Sequence, residues 1–292
     1  MQQNFLSDSY AELDLSDQVF EQSISSQTKE LFITHIYAYY RLHGRQFIWR
    51  QTTDPYHIVV SEVMLQQTQT DRVKEKFVTF IAQLPTFQAL AIADARDVLA
   101  LWSGLGYNRR ALALQKLAQQ VVNNYQGILP ADPEILDTFP GIGKATAASI
   151  CAFAFNMPTI FIETNIRAIY IHTFFRNQAE VHDHELITLV EQTIDKSNAR
   201  QWYYALMDYG VMLKKLYKNP SRKSAHYTKQ SKFEGSERQI RGMILKILTQ
   251  QQTATFEMLC YLIEREPVRI KHNLQDLCAE GFIKQKDNCF FI

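Results

Sequence analysis

The chain of 292 residues is 46% hydrophobic and carries 31 basic against 30 acidic residues, which predicts a soluble globular protein with a sizeable core and two domains, or three small ones. A net charge of +1 decides nothing about nucleic acid until it is mapped along the chain. Four cysteines, Cys151, Cys260, Cys278 and Cys289, show neither CxxC spacing nor a dense framework, so a disulfide scaffold is excluded and reduced thiols in a cytoplasmic protein are expected.

Residues 1–26 form an acidic N-terminal extension: six acids stand against one base in the first thirty residues, the reverse of a secretory or mitochondrial leader. Helical periodicity then dominates, as in Leu31, Ile36, Tyr39 and Tyr40, and in Leu112, Leu114, Leu117 and Val121. The spacing predicts helices over 28–43, 55–70, 71–83, 86–91, 95–102, 107–125, 133–138, 144–156, 164–175, 182–195 and 199–213, a mainly α core over 27–213. The most apolar stretch, Ala145 to Ile162, is interrupted by Thr146, Ser149, Asn156 and Pro158, so it reads as a buried helix and an extended segment rather than a membrane span. A basic linker follows over 214–236. Between Asp208 and Glu234 there is no acid, while Lys214, Lys215, Lys218, Arg222, Lys223, Lys229 and Lys232 all fall there, either a phosphate footprint or a solvated tether. Beyond it, helices over 237–250, 255–264 and 267–280 precede a hairpin signal in which FIKQK and CFFI flank Asp287-Asn288. This resembles a winged helix, whose third helix offers Arg269, Lys271, His272, Asn273 and Gln275 to a groove. With eight bases against seven acids over 237–292, the module suits protein contact as well as DNA contact.

The most specific local signal is FPGIGKATAASI, 139–150. Gly141 and Gly143 allow a tight turn with positive φ, and Lys144 opens an Ala-rich helix whose N-terminal N–H groups can receive a phosphate. A plain helix-helix turn is the bland alternative. The stretch resembles the helix-hairpin-helix of the endonuclease III and MutY-type DNA glycosylases. WRQTTDPYHIVVSEVMLQQTQTDRV (49–73), LWSGLGYNRRA (101–111) and PTIFIETNIRAI (158–169) are similar to further motifs of the same superfamily, in the same order. The resemblance covers about two thirds of the chain and implies a core of two helical lobes that binds lesion-bearing or mismatched double-stranded DNA as a monomer.

It also implies chemistry. Glu62, set among Val59, Val60, Val63, Met64 and Leu65, matches the acid that protonates adenine at N7, and apolar surroundings favour keeping that proton. Glu163 matches a position that is normally aspartate, where the carboxylate stabilises the sugar cation. The extra methylene moves that carboxylate by about 1.5 Å, and misplacement of this order can cost ~10²-fold in rate. Ala145 occupies the place of the Schiff-base lysine of bifunctional members, so a monofunctional glycosylase without lyase chemistry is expected, with Lys144 assigned to the hairpin. Gln66, Gln67 and Tyr107 match strand-contacting and intercalating residues that act when a base is flipped, and Trp102 reads as core.

Two family features are missing from the sequence. No cysteine lies between Cys151 and Cys260, where most members hold an iron-sulfur cluster, so no cofactor is expected, and Lys214, Lys215, Arg222 and Lys223 stand ready to meet DNA in its place. Residues 237–292 are too short for a Nudix-like lesion reader. Adenine is thus the first expectation for the excised base. A non-catalytic lesion-binding protein and a winged-helix regulator are the competing readings. Asp208, in LMDYG, is expected to cap or orient a nearby helix.

Overall fold

The computed structural model describes residues 13–217, 219–225 and 232–292. Of the expected basic linker, Lys218 and Lys229 lie outside the described residues. The chain is mainly helical: α1 Ser26–His43, α2 Pro55–Leu65, α3 Thr70–Gln83, α4 Phe87–Ile92, α5 Ala95–Trp102, α6 Arg109–Tyr125, α7 Pro133–Asp137, α8 Lys144–Phe155, α9 Thr164–Phe174, α10 Asp183–Thr193, α11 Ala199–Leu216, α12 Glu237–Gln251, α13 Phe256–Ile263 and α14 Pro267–Ala279. Strands β1 Thr253–Thr255, β2 Lys284–Lys286 and β3 Cys289–Phe291 complete it. No helix among the described residues is long and apolar enough to cross a membrane.

Local chemistry accounts for most helix starts. The side chains of Ser25, Thr86, Asp94, Asp132 and Asn198 each accept a hydrogen bond from a first-turn N–H, satisfying donors that the helix itself leaves unpaired. Pro133 and Pro267 occupy first-turn positions where a missing N–H costs nothing.

The structure falls into two compact units. The first comprises the described residues of Met1–Ile58, Ala131–Thr138 and Gly143–Lys229. Its core gathers Phe32 of α1, Tyr170 and Phe174 of α9 and Trp202 of α11, the Phe32 ring lying 5.5, 5.0 and 5.9 Å from the other three. Part of the expected N-terminal extension joins this core: Leu15 is buried and its N–H donates to the Thr173 carbonyl at 2.8 Å. Helices α9 and α11 approach closely at Gly210, where a Cβ would stand 2.5 Å from the Asn165 carbonyl oxygen.

The second unit comprises Val59–Pro130, Phe139–Ile142 and the described residues of Gln230–Ile292, so the C-terminal module shares a unit with the 59–130 helices. Trp102 is fully buried there, beside Phe80, and its Nε1–H donates to the Gly106 carbonyl, as expected of a core residue. In the module, α12, α13 and α14 enclose Ile240, Ile244, Leu248, Leu259, Ile270 and Leu277. To the expected hairpin the structure adds β1, giving an antiparallel sheet of order β1-β3-β2 with Thr253 and Lys284 both opposite Phe291. Asp287 and Asn288 both take positive φ, 48° and 64°, the backbone that a two-residue hairpin turn needs.

Candidate active site and DNA-binding surface

Glu163 is the N-cap of α9. Its φ of −115° and ψ of 175° are extended, and its Oε1 accepts from the N–H groups of Asn165 at 2.8 Å and Ile166 at 3.0 Å. Oε2 accepts from Asn165 Nδ2 at 3.0 Å and from the Thr164 hydroxyl at 3.3 Å. Glutamate is an uncommon cap, and its extra methylene is absorbed by the side chain curling back onto the first turn. Four donors therefore fix the carboxylate at the positive end of the helix. The charge of Glu163 also acts on Lys214 of α11, whose amine burial pushes below the usual lysine range while Glu163 pulls the other way.

Glu62 sits in α2 where every other residue from Ile58 to Met64 is buried and it alone is half-exposed. The expected helix over 55–70 stops at Leu65 instead. Gln67 turns to φ 53°, and Thr68 N–H closes a turn onto the Leu65 carbonyl. The cause is Arg110, a residue to which sequence reasoning gave no role. Its guanidinium is buried and donates to the carbonyls of Val63 (2.8 Å), Met64 (3.0 Å) and Gln66, and to those of Gly106 (3.0 Å) and Leu105 (3.5 Å). It also donates to the Thr68 hydroxyl at 2.9 Å. Burial lowers the Arg110 pKa to about 10, so the group stays charged at neutral pH. One cation thereby joins the 66–68 and 104–107 loops, which carry Gln66, Gln67 and Tyr107. The doubled arginine of NRRA was the available signal.

Gln66 turns its Nε2 to the Gly141 carbonyl at 3.1 Å, bringing the first loop to the hairpin. Gln67 is exposed. Tyr107 adopts φ 49° with 36% of its surface exposed, its ring 5.4 Å from the Arg110 guanidinium.

The hairpin differs from expectation at one glycine. Gly141 has φ 78° and a Cβ there would lie 2.9 Å from that of Ala113, so both conformation and space call for glycine. Gly143 is extended, with φ −114° and ψ 171°, and a Cβ there would meet nothing within 4 Å. Gly143 serves as the N-cap of α8 without a capping side chain, and Gly143, Lys144 and Ala145 are all exposed. The first-turn N–H groups of α8 are thus offered to an external acceptor, with the Lys144 charge beside them.

The basic residues divide. Lys215 and Arg222 are exposed, Lys214 is half-buried, and Lys223 donates its amine to the Arg176 carbonyl at 2.6 Å. Lys223 therefore braces the chain rather than standing free for DNA: its own carbonyl accepts from Val181 N–H at 2.9 Å, and the 3-10 turn Pro220–Lys223 packs on α9 with Pro220 and Ser221 buried. This packing occupies the stretch in which the family resemblance implies a cluster. The donor set does not fit a four-thiolate cluster, since Cys151 lies within α8 and Cys260, Cys278 and Cys289 within 253–291.

Asp208 does not cap a helix. Buried in α11, it accepts from Arg45 N–H (2.6 Å), Arg45 Nε (2.7 Å) and both terminal nitrogens of Arg50 (2.9 Å each). It thereby ties down the 44–50 segment that leads into α2. In α14, Arg269 and Asn273 are not groove-facing: both donate to the Glu237 carboxylate, at 2.8 and 2.5 Å. Lys271, His272 and Gln275 are exposed.

A glycine hairpin that opens a helix, with a capped acid at the start of the next helix, defines a helix-hairpin-helix protein suited to the phosphate backbone of a nucleic acid. Residues 60–192 match the HhH-GPD superfamily of base excision DNA repair proteins. It is 37% identical over 137 residues to the adenine DNA glycosylase of Mycobacterium tuberculosis, covering 47% of this chain and 45% of the relative. The adenine DNA glycosylase of Mycolicibacterium smegmatis is 28% identical over 269 residues, 85% of this chain and 91% of the relative. The chain thus spans less than half the length of the first relative and nearly all of the second. A thermostable thymine-DNA glycosylase structure aligns with a TM-score of 0.57 at 26% identity, over 63% of this chain and 86% of that one. A trapped endonuclease III–DNA intermediate shares the fold, with a TM-score of 0.54 at 16% identity over 63% and 85%.

Proposed function

We propose that the protein is a monofunctional DNA glycosylase that excises adenine from a mismatched or damaged pair in double-stranded DNA. The observation that carries this reading is the Glu163 carboxylate, fixed at the head of α9 by the N–H groups of Asn165 and Ile166. A fixed negative charge lowers the barrier to a reaction in which positive charge develops on the sugar. Its adenine preference rests on the names of the relatives.

The base leaves the duplex, the first-turn N–H groups of α8 and Lys144 hold a phosphate, and Tyr107 enters the vacated step. Glu62 gives its proton to the base as the C1′–N9 bond breaks and the bonding pair departs with the base. Glu163 stabilises the oxocarbenium ion, and water adds to C1′ with loss of a proton, leaving an abasic site. No amine at position 145 forms an imine with that site. The core, residues 27–213, performs this chemistry with 214–236 as a connector and 237–292 as a winged-helix-like module, and the chain acts as a monomer on DNA inside the cell.

The test is single-turnover incubation with duplexes containing A opposite 8-oxoguanine, A opposite G, uracil, hypoxanthine and alkylated bases. Alkali-labile product from the adenine duplexes, with no strand cleavage before alkali, is expected. Folded protein that binds these duplexes and yields no product from any of them refutes the proposal.

A further inference from the structure

Near-balanced charge gives residues 237–292 no electrostatic reason to act at DNA, but their contacts within the second unit do. Helix α12 packs on α5, and its Arg238 donates from Nη1 to the Tyr107 hydroxyl at 2.7 Å, with its guanidinium 5.7 Å from the ring centre. Two residues on, Arg109 forks onto Glu280 at the end of α14, Nε at 2.9 Å and Nη2 at 2.5 Å. Arg241 of α12 shares the same carboxylate, at 3.2 and 2.6 Å. Arg238 is itself placed by a braced turn: Gly235 N–H donates to Gln239 Oε1, Ser236 Oγ to the Phe233 carbonyl, and Arg269 to the Gly235 carbonyl.

We propose that Arg238 is a positioning residue for Tyr107 and that the 237–292 module holds this aromatic wedge in the pose it needs to enter the base stack. This rests on the reading of Tyr107 as the group that enters the stack. A non-glycine residue in the left-handed region is held there only by its surroundings. Tyr107 has such surroundings on both sides, with Arg110 beneath the ring and Arg238 at the hydroxyl. The contact is made at the hydroxyl and leaves over a third of the residue exposed, which suits a brace and not a cover. A wedge already ordered loses less freedom on insertion, so more of its stacking energy reaches the flipped state.

The test uses the full chain and a duplex with adenine opposite 8-oxoguanine and 2-aminopurine 3′ to the adenine. The stopped-flow fluorescence rise and single-turnover excision are both followed. Arg238→Ala and Tyr107→Phe should each slow both signals about five- to tenfold, the range set by one charge-assisted hydrogen bond. The double variant should be no slower than the slower single. Arg238→Lys should recover part of the loss, and Lys246→Ala, on the exposed side of α12, should behave as the parent. If Arg238→Ala stays within twofold of the parent while Tyr107→Ala is slow, the inference fails and the wedge stands. If Arg238→Ala is faster, the contact is a cover and the inference fails. If Tyr107→Ala is as fast as the parent, the wedge reading fails and this inference with it. Should Arg238→Ala not fold, Arg238→Lys with Tyr107→Phe decides by the same comparison.

Discussion

Replacing Glu163 separates a cap from a catalyst. Glu163→Ala removes the acceptor of the Asn165 and Ile166 N–H groups at the head of a helix whose residues Ala168 to Phe174 are all buried. Loss of an N-cap costs about 1 kcal/mol, and leaving part-buried donors unmatched brings the total to roughly 2 kcal/mol. In a chain of this size that is a fall in Tm of about 4–8 °C, measured by differential scanning calorimetry. Glu163→Asp should hold Tm within about 2 °C, because aspartate is among the best N-caps. Glu163→Gln retains an acceptor oxygen and should fall between the two. Excision follows a different order. On the proposed mechanism both Ala and Gln remove the charge that meets the sugar cation and should slow single-turnover excision by about 10²–10³-fold. A Gln variant that melts near the parent temperature and excises within threefold of it would refute the electrostatic role. If Asp is also slow while stable, the active site is fitted to the longer arm.

Arg110→Ala withdraws donors from the carbonyls of Val63, Met64, Gln66 and Gly106 and should destabilise the fold by about 3 kcal/mol in urea titrations; Arg110→Lys, lacking the fork, should recover less than half. Gly210→Ala sets a methyl 2.5 Å from the Asn165 carbonyl oxygen and should cost about 1–3 kcal/mol, with excision slowed because Asn165 also donates to Glu163. Glu280 is held below the ordinary 4.5 by its hydrogen bonds to Arg109 and Arg241. A depressed acid contributes its stability in full above the unfolded value and loses it as pH falls through the folded one. The parent should therefore lose more Tm than Glu280→Gln on acidification below about pH 4.5, and equal slopes would contradict the clasp.

Helix positions were largely legible because caps are local. Ser25, Thr86, Asp94, Asp132 and Asn198 announce their helices within a few residues of where they begin. What failed was non-local. The sequence from 55 to 70 reads as one helix, yet Arg110, more than forty residues on, takes the Val63 and Met64 carbonyls that a continuing helix would have offered to residues 67 and 68. PGxGK leaves both conformations open at Gly143, which is extended in the structure and not left-handed. The third helix of the module lost Arg269 and Asn273 to Glu237, a pairing across 32 and 36 residues with no periodicity to betray it.

The first turn of α9 alters what the acid in FIETNIR means. Glutamate for aspartate in this stretch predicts a displaced carboxylate if the backbone and cap are imagined unchanged. In the structure the carboxylate curls back to the N–H groups of Asn165 and Ile166 and the amide of Asn165, so much of the added length is spent within the first turn. Asn165 in turn is pressed by Gly210 of α11, and one helical turn further along α11 Lys214 feels the Glu163 charge. Glu163→Asp should consequently weaken the attraction on Lys214 and lower its amine pKa further, because burial then meets less opposition. Amine titration by NMR of ¹⁵N-labelled lysine checks this: an unchanged or raised Lys214 pKa in the Asp variant would show that the two side chains do not interact.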